Sequence, residues 1–194
     1  MNNNKLIDAY DKQLFTDLKL ILTDESNTIT MLIHKIILFA NCTYFEKMLT
    51  GYKEAEQNEI VIHVPNAYVA YDIIISFYGK EANYGNLPKW KHILETIICS
   101  DFLGIDCDSK LLENIIVPEE DFDLLLRVIQ IVGYDEDTIK IINNNMPNNY
   151  DLSEFPDELI EHMINYSYSY NIASGSSDNS IKIWNPKNGE LINT

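Results

Sequence analysis

The spacing of the hydrophobic positions changes repeatedly within residues 17–64. Apolar and polar side chains alternate over residues 17–23 and again over 28–33, and the polar residues 24–27 separate the two runs. Such alternation indicates strands with one buried face, and the short polar link indicates a hairpin. Helical spacing follows over residues 36–49, and alternation resumes over 60–64. The pattern therefore predicts a hairpin, a pair of short helices and a further strand.

Helical spacing also marks both flanks of this stretch. Residues 5–14 predict a short amphipathic helix before the hairpin. After the last strand, residues 65–78 and 90–103 predict two helices with wide apolar faces, and residues 106–116 predict another. The fold class is therefore α+β, with a small mixed sheet capped by a helical bundle.

A new pattern begins at Pro118. Residues 119–133 predict a helix whose acidic first turn suits the positive end of the helix dipole. A second short helix is expected over residues 135–142, an Asn-rich linker over 143–151, and a brief helix over 155–163. This part therefore reads as a short helical extension.

The last residues change period once more. Tyr166, Tyr168 and Tyr170 alternate with small polar residues, which indicates a strand. The following sequence, IASGSSDNSIKIWNPKNGELINT, predicts three strands separated by a Ser-Asp-Asn turn and an Asn-Gly turn. A β tail is expected over residues 166–194.

Charge and cysteine content narrow the range of partners. The 194 residues carry 14 basic and 30 acidic side chains, a formal net charge of -16, which repels nucleic acid and anionic lipid. The 3 cysteines show no C-x-x-C spacing, so we expect a reducing intracellular compartment. No signal peptide or membrane-spanning stretch is expected either.

The candidate chemistry favours an interaction protein over an enzyme. The 4 histidines are scattered without metal-ligand spacing, and no nucleotide-binding or nucleophile-elbow motif occurs. We expect His34 to be a partly buried histidine that bonds to the backbone or to Asp17, and Cys42 to pack in the core. No catalytic residue, metal or cofactor is predicted.

The region around His34 resembles the BTB/POZ domain. The resemblance rests on an Asp in the first strand, a His-Lys pair and a following helix pair, matched by Asp17, His34, Lys35, Leu38, Cys42 and Phe45, with Cys42 where a Ser is usual. It implies a BTB/POZ fold over residues 1–116 and a homodimer whose surface includes the first helix. The candidate dimer-interface residues are Leu6, Tyr10, Asp17, His34 and Lys35.

Two further resemblances concern the remaining chain. Residues 117–165 resemble a fragment of the BACK domain that follows many BTB domains, and 166–194 resemble part of one WD40 repeat, with Asn185 in place of the usual Asp. A lone partial repeat cannot form a propeller. BTB followed by WD sequence, with the Ile and Asn bias, resembles the BTB/WD proteins of giant DNA viruses such as mimivirus, here as a member that has lost most repeats.

The BTB resemblance implies two functions, which the sequence leaves open. The first is a substrate adaptor of a cullin-type ubiquitin ligase, since Tyr52 and Glu54 match the hydrophobic-x-Glu motif of cullin binders. The second is a plain dimerisation or scaffold module without ligase function, or a decoy of host BTB proteins. A third option, a transcriptional co-repressor platform, would need a DNA-binding domain. The expected partners are a second copy, a cullin and an unknown protein substrate, in the host cytoplasm or nucleus.

Overall fold

The chain forms two compact units, Met1–Val117 and Pro118–Thr194. The computed structural model describes residues 3–51, 56–81, 87–107, 109–147, 150–151, 153, 155–167, 172–175, 181–184 and 191–193. The elements of the first unit are α1 (Asn3–Asp11), β1 (Leu18–Thr23), β2 (Thr28–Ile33), α2 (Lys35–Asn41), α3 (Thr43–Gly51), β3 (Glu59–His63), α4 (Ala67–Ser76) and α5 (Lys89–Leu103).

A three-stranded mixed sheet, ordered β2-β1-β3, forms one layer of this unit. β1 pairs with β2 in antiparallel register, Leu20 opposite Met31, and with β3 in parallel register, Leu20 opposite Ile60. Leu18, Leu20 and Leu22 of β1 are buried, as the alternation predicted. The sheet therefore turns one face to the helices and the other to solvent.

The helices cover the buried face of the sheet. Cys42 separates α2 from α3 with an extended backbone, and its thiol donates a hydrogen bond to the Leu103 carbonyl, with Sγ 3.1 Å from the oxygen. α5 ends at Gly104, whose φ of 67° is left-handed and whose added Cβ would lie 3.3 Å from Thr43 Cβ. The expected core position of Cys42 is confirmed, and α5 meets the start of α3 at close range.

The predicted helix over residues 106–116 is wrong. Among the described residues of this stretch, 106–107 and 109–116, the structure has a 3₁₀ turn at Ser109–Leu112 and no α-helix. Asn114 adopts a positive φ of 57°, which stops helical hydrogen bonding, and the β-branched run that follows leads into Pro118. Apolar spacing alone did not reveal these local breaks.

The second unit contains helices and a second sheet. After a 3₁₀ turn at Glu119–Asp121, its elements are α6 (Phe122–Val132), α7 (Glu136–Asn145), α8 (Asp157–Ser167), β4 (Ile172–Gly175), β5 (Ile181–Trp184) and β6 (Leu191–Asn193). Asp135 and Thr138 form a capping box at the start of α7. The strands form an antiparallel sheet in the order β4-β5-β6.

The start of the predicted β tail needs a correction. α8 continues to Ser167, so Tyr166 is helical and not in a strand. Tyr168 and Tyr170 lie outside the described residues. The division of this unit at residue 165 into a helical extension and a tail stays a prediction.

Asp24 joins the hairpin turn to the start of α4. Its Oδ1 accepts hydrogen bonds from the backbone N–H groups of Ser26 and Asn27, at 2.8 and 2.7 Å, and its Oδ2 accepts from Ala67 N–H at 2.8 Å. Burial alone would raise the pKa of this carboxyl, but the three backbone bonds together outweigh it and lower the pKa. A negative charge is also favourable at a helix N-terminus.

Asp24→Ala should therefore lower the free energy of unfolding at pH 7 by about 2 kcal/mol, because the loss leaves backbone donors without an acceptor. Urea denaturation measures the loss, and Glu25→Ala, an exposed neighbour, is the control. Since the folded-state pKa of Asp24 is lowered, its stabilisation is complete above the unfolded pKa of about 3.9 and fades as the pH falls through the lower folded value. An unfolding difference that stays equal at pH 7 and about pH 2 would contradict this assignment.

Candidate protein-interaction surface

The side chain of His34 connects three segments of the first unit. Tyr78 Oη lies 3.0 Å from His34 N and 2.9 Å from His34 Nδ1, and His34 Nε2 lies 2.7 Å from the carbonyl oxygen of Leu14. Because a carbonyl only accepts, Nε2 carries the proton and Nδ1 accepts from the Tyr78 hydroxyl. Burial raises the pKa of Tyr78, which keeps this hydroxyl protonated. The expected backbone partner of His34 is confirmed.

Asp17 serves a different group from the one expected. Its Oδ1 accepts a hydrogen bond of 2.8 Å from the backbone N–H of Lys35, the first residue of α2. Its own N–H donates to the Ile33 carbonyl at 3.1 Å. Of the two partners that we expected for His34, the backbone or Asp17, the structure shows the backbone, and the Asp17 carboxylate instead caps the helix.

The α1 residues proposed for the dimer pack within their own unit. Leu6 and Tyr10 are half-buried against its core. The Tyr10 hydroxyl donates to the Tyr71 hydroxyl at 3.1 Å, and the rings of Tyr10 and Tyr78 lie 5.0 Å apart. Burial is the largest of the causes that raise the pKa of Tyr10. These two side chains hold α1 on the unit and keep part of their surface exposed.

Four large apolar side chains of the neighbouring segments are exposed to solvent. Phe15 is 92% exposed, Ile36 64%, Leu14 45% and Phe39 39%. Ile36 and Phe39 share a face of α2 because they lie three residues apart, and the bond from His34 holds Leu14 beside the start of that helix. We refer to these four residues as the apolar patch. In the sequence, the sign of this surface is the pair Leu14-Phe15, which follows the polar residues 11–13.

The candidate cullin-binding residues lie in a part of the chain that the structure does not describe. Tyr52 and Glu54 follow the end of α3 at Gly51 and precede β3. Their role stays a prediction.

The remaining candidates for chemistry include two buried thiols and a buried histidine. No cluster of His, Cys, Asp or Glu that could hold a metal occurs among the residues with described positions. Burial raises the pKa of Cys42, and that of Cys99 to about 12, so both thiols stay protonated. His92 and Asp72 are buried between α5 and α4, with Nε2 3.5 Å from Oδ2. Across the described helices, none is long and apolar enough to cross a bilayer.

The chain is similar to known proteins over most of its length. The family model of the BTB/POZ domain matches residues 6–128. A BTB/POZ domain-containing protein of Acanthamoeba polyphaga mimivirus is 42% identical over 185 residues, 95% of this chain and 24% of the relative. A BTB/POZ domain and WD-repeat protein of the same virus is 42% identical over 184 residues, 95% of this chain and 35% of the relative. The chain thus spans a quarter to a third of these two relatives.

A further viral relative and a solved structure also match this chain. A further BTB/POZ domain-containing protein of the virus is 40% identical over 182 residues, 94% of this chain and 69% of the relative. Among solved structures, the BTB domain of zebrafish PATZ1 matches 53% of this chain and 77% of that chain, at 21% identity and a TM-score of 0.39. The family match covers most of the chain and includes β1–β3, His34, α2–α5 and most of α1. It shows that the chain belongs to the BTB/POZ domain family of protein-protein interaction modules.

Proposed function

We propose that this chain forms a homodimer through its BTB/POZ domain and acts as a substrate adaptor of a cullin-type ubiquitin ligase. The observation that carries the dimer is the apolar patch. Fully burying one large apolar side chain contributes roughly 1.5–3 kcal/mol, so two copies that cover Phe15 and Ile36 gain a substantial free energy. A two-fold contact lets the same patch face itself.

Phe15 is the natural anchor of this contact. Among the described residues of the first unit, its side chain is the most exposed large hydrophobic one, at 92%. Aromatic residues that enter a partner's pocket tend to carry a large share of interface energy. Asp17, His34 and Lys35 then act indirectly, because their hydrogen bonds fix the segment and the helix that present Phe15 and Ile36.

Replacement of Phe15 and Ile36 by Asp should convert the dimer into a monomer. Charges placed at a two-fold contact lose the apolar contribution and face like charges of the other copy. Sedimentation should show a species of twice 22.4 kDa for the unmodified chain and of 22.4 kDa for the double variant. Leu6 and Tyr10 are poorer targets, because both pack on their own unit and their loss also disturbs folding.

Tyr68→Ser is the matched control, because Tyr68 is 57% exposed but belongs to α4. This variant should remain dimeric. A 22.4 kDa species for the unmodified chain at micromolar concentration rejects the homodimer, and an unchanged dimer in the double variant rejects the apolar patch as its interface.

The adaptor role rests on the family's cullin-binding pattern. Tyr52-Lys53-Glu54 follows α3 at the position where cullin-binding members carry a hydrophobic residue and a Glu. An aromatic anchor next to a charge is a common arrangement for an interface hot spot. The apolar patch consists of other residues, so variants can test the two contacts separately.

Tyr52→Ala should weaken cullin binding by about 2 kcal/mol, roughly thirtyfold, because it removes the anchor. Glu54→Lys should weaken it similarly through an unpaired charge at the contact. Pull-down with purified cullins and titration by calorimetry measure the effect. Glu56→Lys makes the same charge change at an exposed position two residues away and should bind like the unmodified chain.

Absence of binding to any cullin at tens of micromolar would end the adaptor proposal, as would equal binding by both variants. The dimer experiment does not depend on this outcome. A dimer without cullin binding supports the alternative role, a dimerisation or scaffold module, and mixed dimers with host BTB proteins would then mark a decoy.

We also infer that β4, β5 and β6 belong to a WD-type repeat. Several relatives carry WD-repeat in their names, and one of these aligns with 100% of this chain at 34% identity. A propeller blade has four antiparallel strands, and the tail supplies an antiparallel three-stranded sheet. Strands of this kind are buried by neighbouring blades.

A further inference from the structure

A groove in the second unit combines an apolar floor with a single cation. Leu126 and Arg127 of α6, Leu159 of α8, and Tyr134 and Tyr150 line it, and its volume is about 310 Å³. We refer to it as the α6–α8 groove. This volume lies at the lower end of the range for small-ligand sites, and it suits one or two side chains of a peptide.

The aromatic wall of the groove is held firmly. The Tyr150 ring lies 4.8 Å from the Phe122 ring, edge to face, and 5.3 Å from the Phe155 ring. Its hydroxyl donates to Asp123 Oδ1 at 2.8 Å. This hydrogen bond gives the Asp123 carboxylate, which lines the groove, a partner, and it also fixes the Tyr150 side chain. A preformed aromatic wall reduces the ordering cost of binding.

Arg127 differs in its surroundings from the lysines of this unit. It is exposed, it is the only arginine of the sequence, and it forms no ion pair with any residue whose position is described. Lys140, by contrast, is paired with Glu136 and Asp137 on its own helix. A guanidinium presents a planar fork of donors that matches a carboxylate.

We propose that the α6–α8 groove binds a short segment of a protein partner in which a leucine or aromatic side chain adjoins a carboxylate. The apolar side chain enters between Leu126, Leu159 and Tyr134, and the carboxylate pairs with Arg127. The residues that line the groove all belong to the second unit, and none of them is part of the apolar patch or of the proposed cullin-binding motif. The proposal can therefore be tested independently of dimerisation and cullin binding.

If long-range attraction determined which peptide segment binds, the net charge of -16 would favour a basic segment. At about 0.15 M salt, however, charges beyond roughly 8 Å are largely screened. The direct pair with Arg127 is therefore the larger contribution, and Asp123, the nearby competing anion, is already bonded to Tyr150.

Fluorescence anisotropy on the full chain tests this inference with three labelled peptides, acetyl-Ser-Leu-Asp-Phe-Ser-amide and its Asn and Lys analogues. At about 0.15 M salt the unmodified chain should bind the Asp peptide roughly tenfold more tightly than the Asn peptide, and the Lys peptide more weakly still. R127Q should remove the preference for Asp over Asn and leave the affinity for the Asn peptide unchanged. Tyr134→Ala should weaken all three.

K140Q is the control, because it removes a cation of the same unit that lies outside the groove lining; it should keep the preference. Equal affinities for the Asp and Asn peptides, tighter binding of the Lys peptide, or no binding of any peptide at about 1 mM would each overturn the proposal. A preference that persists in R127Q would overturn it as well. The comparison of peptides on the unmodified chain decides the question even if a variant fails to fold.

Discussion

The first unit depends on the hydrogen bonds around the buried Tyr78 hydroxyl. Tyr78 is fully buried, yet its hydroxyl meets both the backbone N–H and the ring of His34. A buried hydroxyl without partners would cost roughly 1–3 kcal/mol, so the His34 contact is required for the tyrosine as much as for the histidine. Through His34 Nε2 the same network reaches the Leu14 carbonyl. The end of α4, the start of α2 and the loop before β1 are thereby fixed together.

The sequence predicted the parts of the fold that depend on local periodicity. Leu18, Leu20 and Leu22 alternate with half-exposed residues, and the hairpin register follows from that alternation and the short turn. Periodicity did not predict that β3 pairs with β1 in parallel. A strand shows the same alternation of apolar and polar residues whichever neighbour it pairs with and in whichever direction. Residues 106–116 show the opposite case, where apolar spacing suggested a helix that the φ of Asn114 excludes.

The candidate site could be predicted only in part, because its geometry depends on contacts between distant residues. His34 and Tyr78 are 44 positions apart, and the partner of the Asp17 carboxylate proved to be a backbone N–H that has no sequence signature. Family resemblance located the His-Lys pair correctly. The exposure of Phe15 and Phe39 beside that pair could not be predicted from it, since exposure depends on how the whole unit packs.

Phe15 shows how these local constraints produce an exposed apolar surface. Its φ of 60° is left-handed, a conformation that costs roughly 1–2 kcal/mol for a bulky residue, and burial of the side chain within the unit does not offset this cost, because 92% remains exposed. The bonds that fix the loop on both sides, Leu14 to His34 and Asp17 to Ile33, hold it in this state. The monomer alone gains nothing from an exposed aromatic side chain on a strained backbone. A second copy that covers Phe15 does gain, because the residue is already ordered and little further conformational entropy is lost on association.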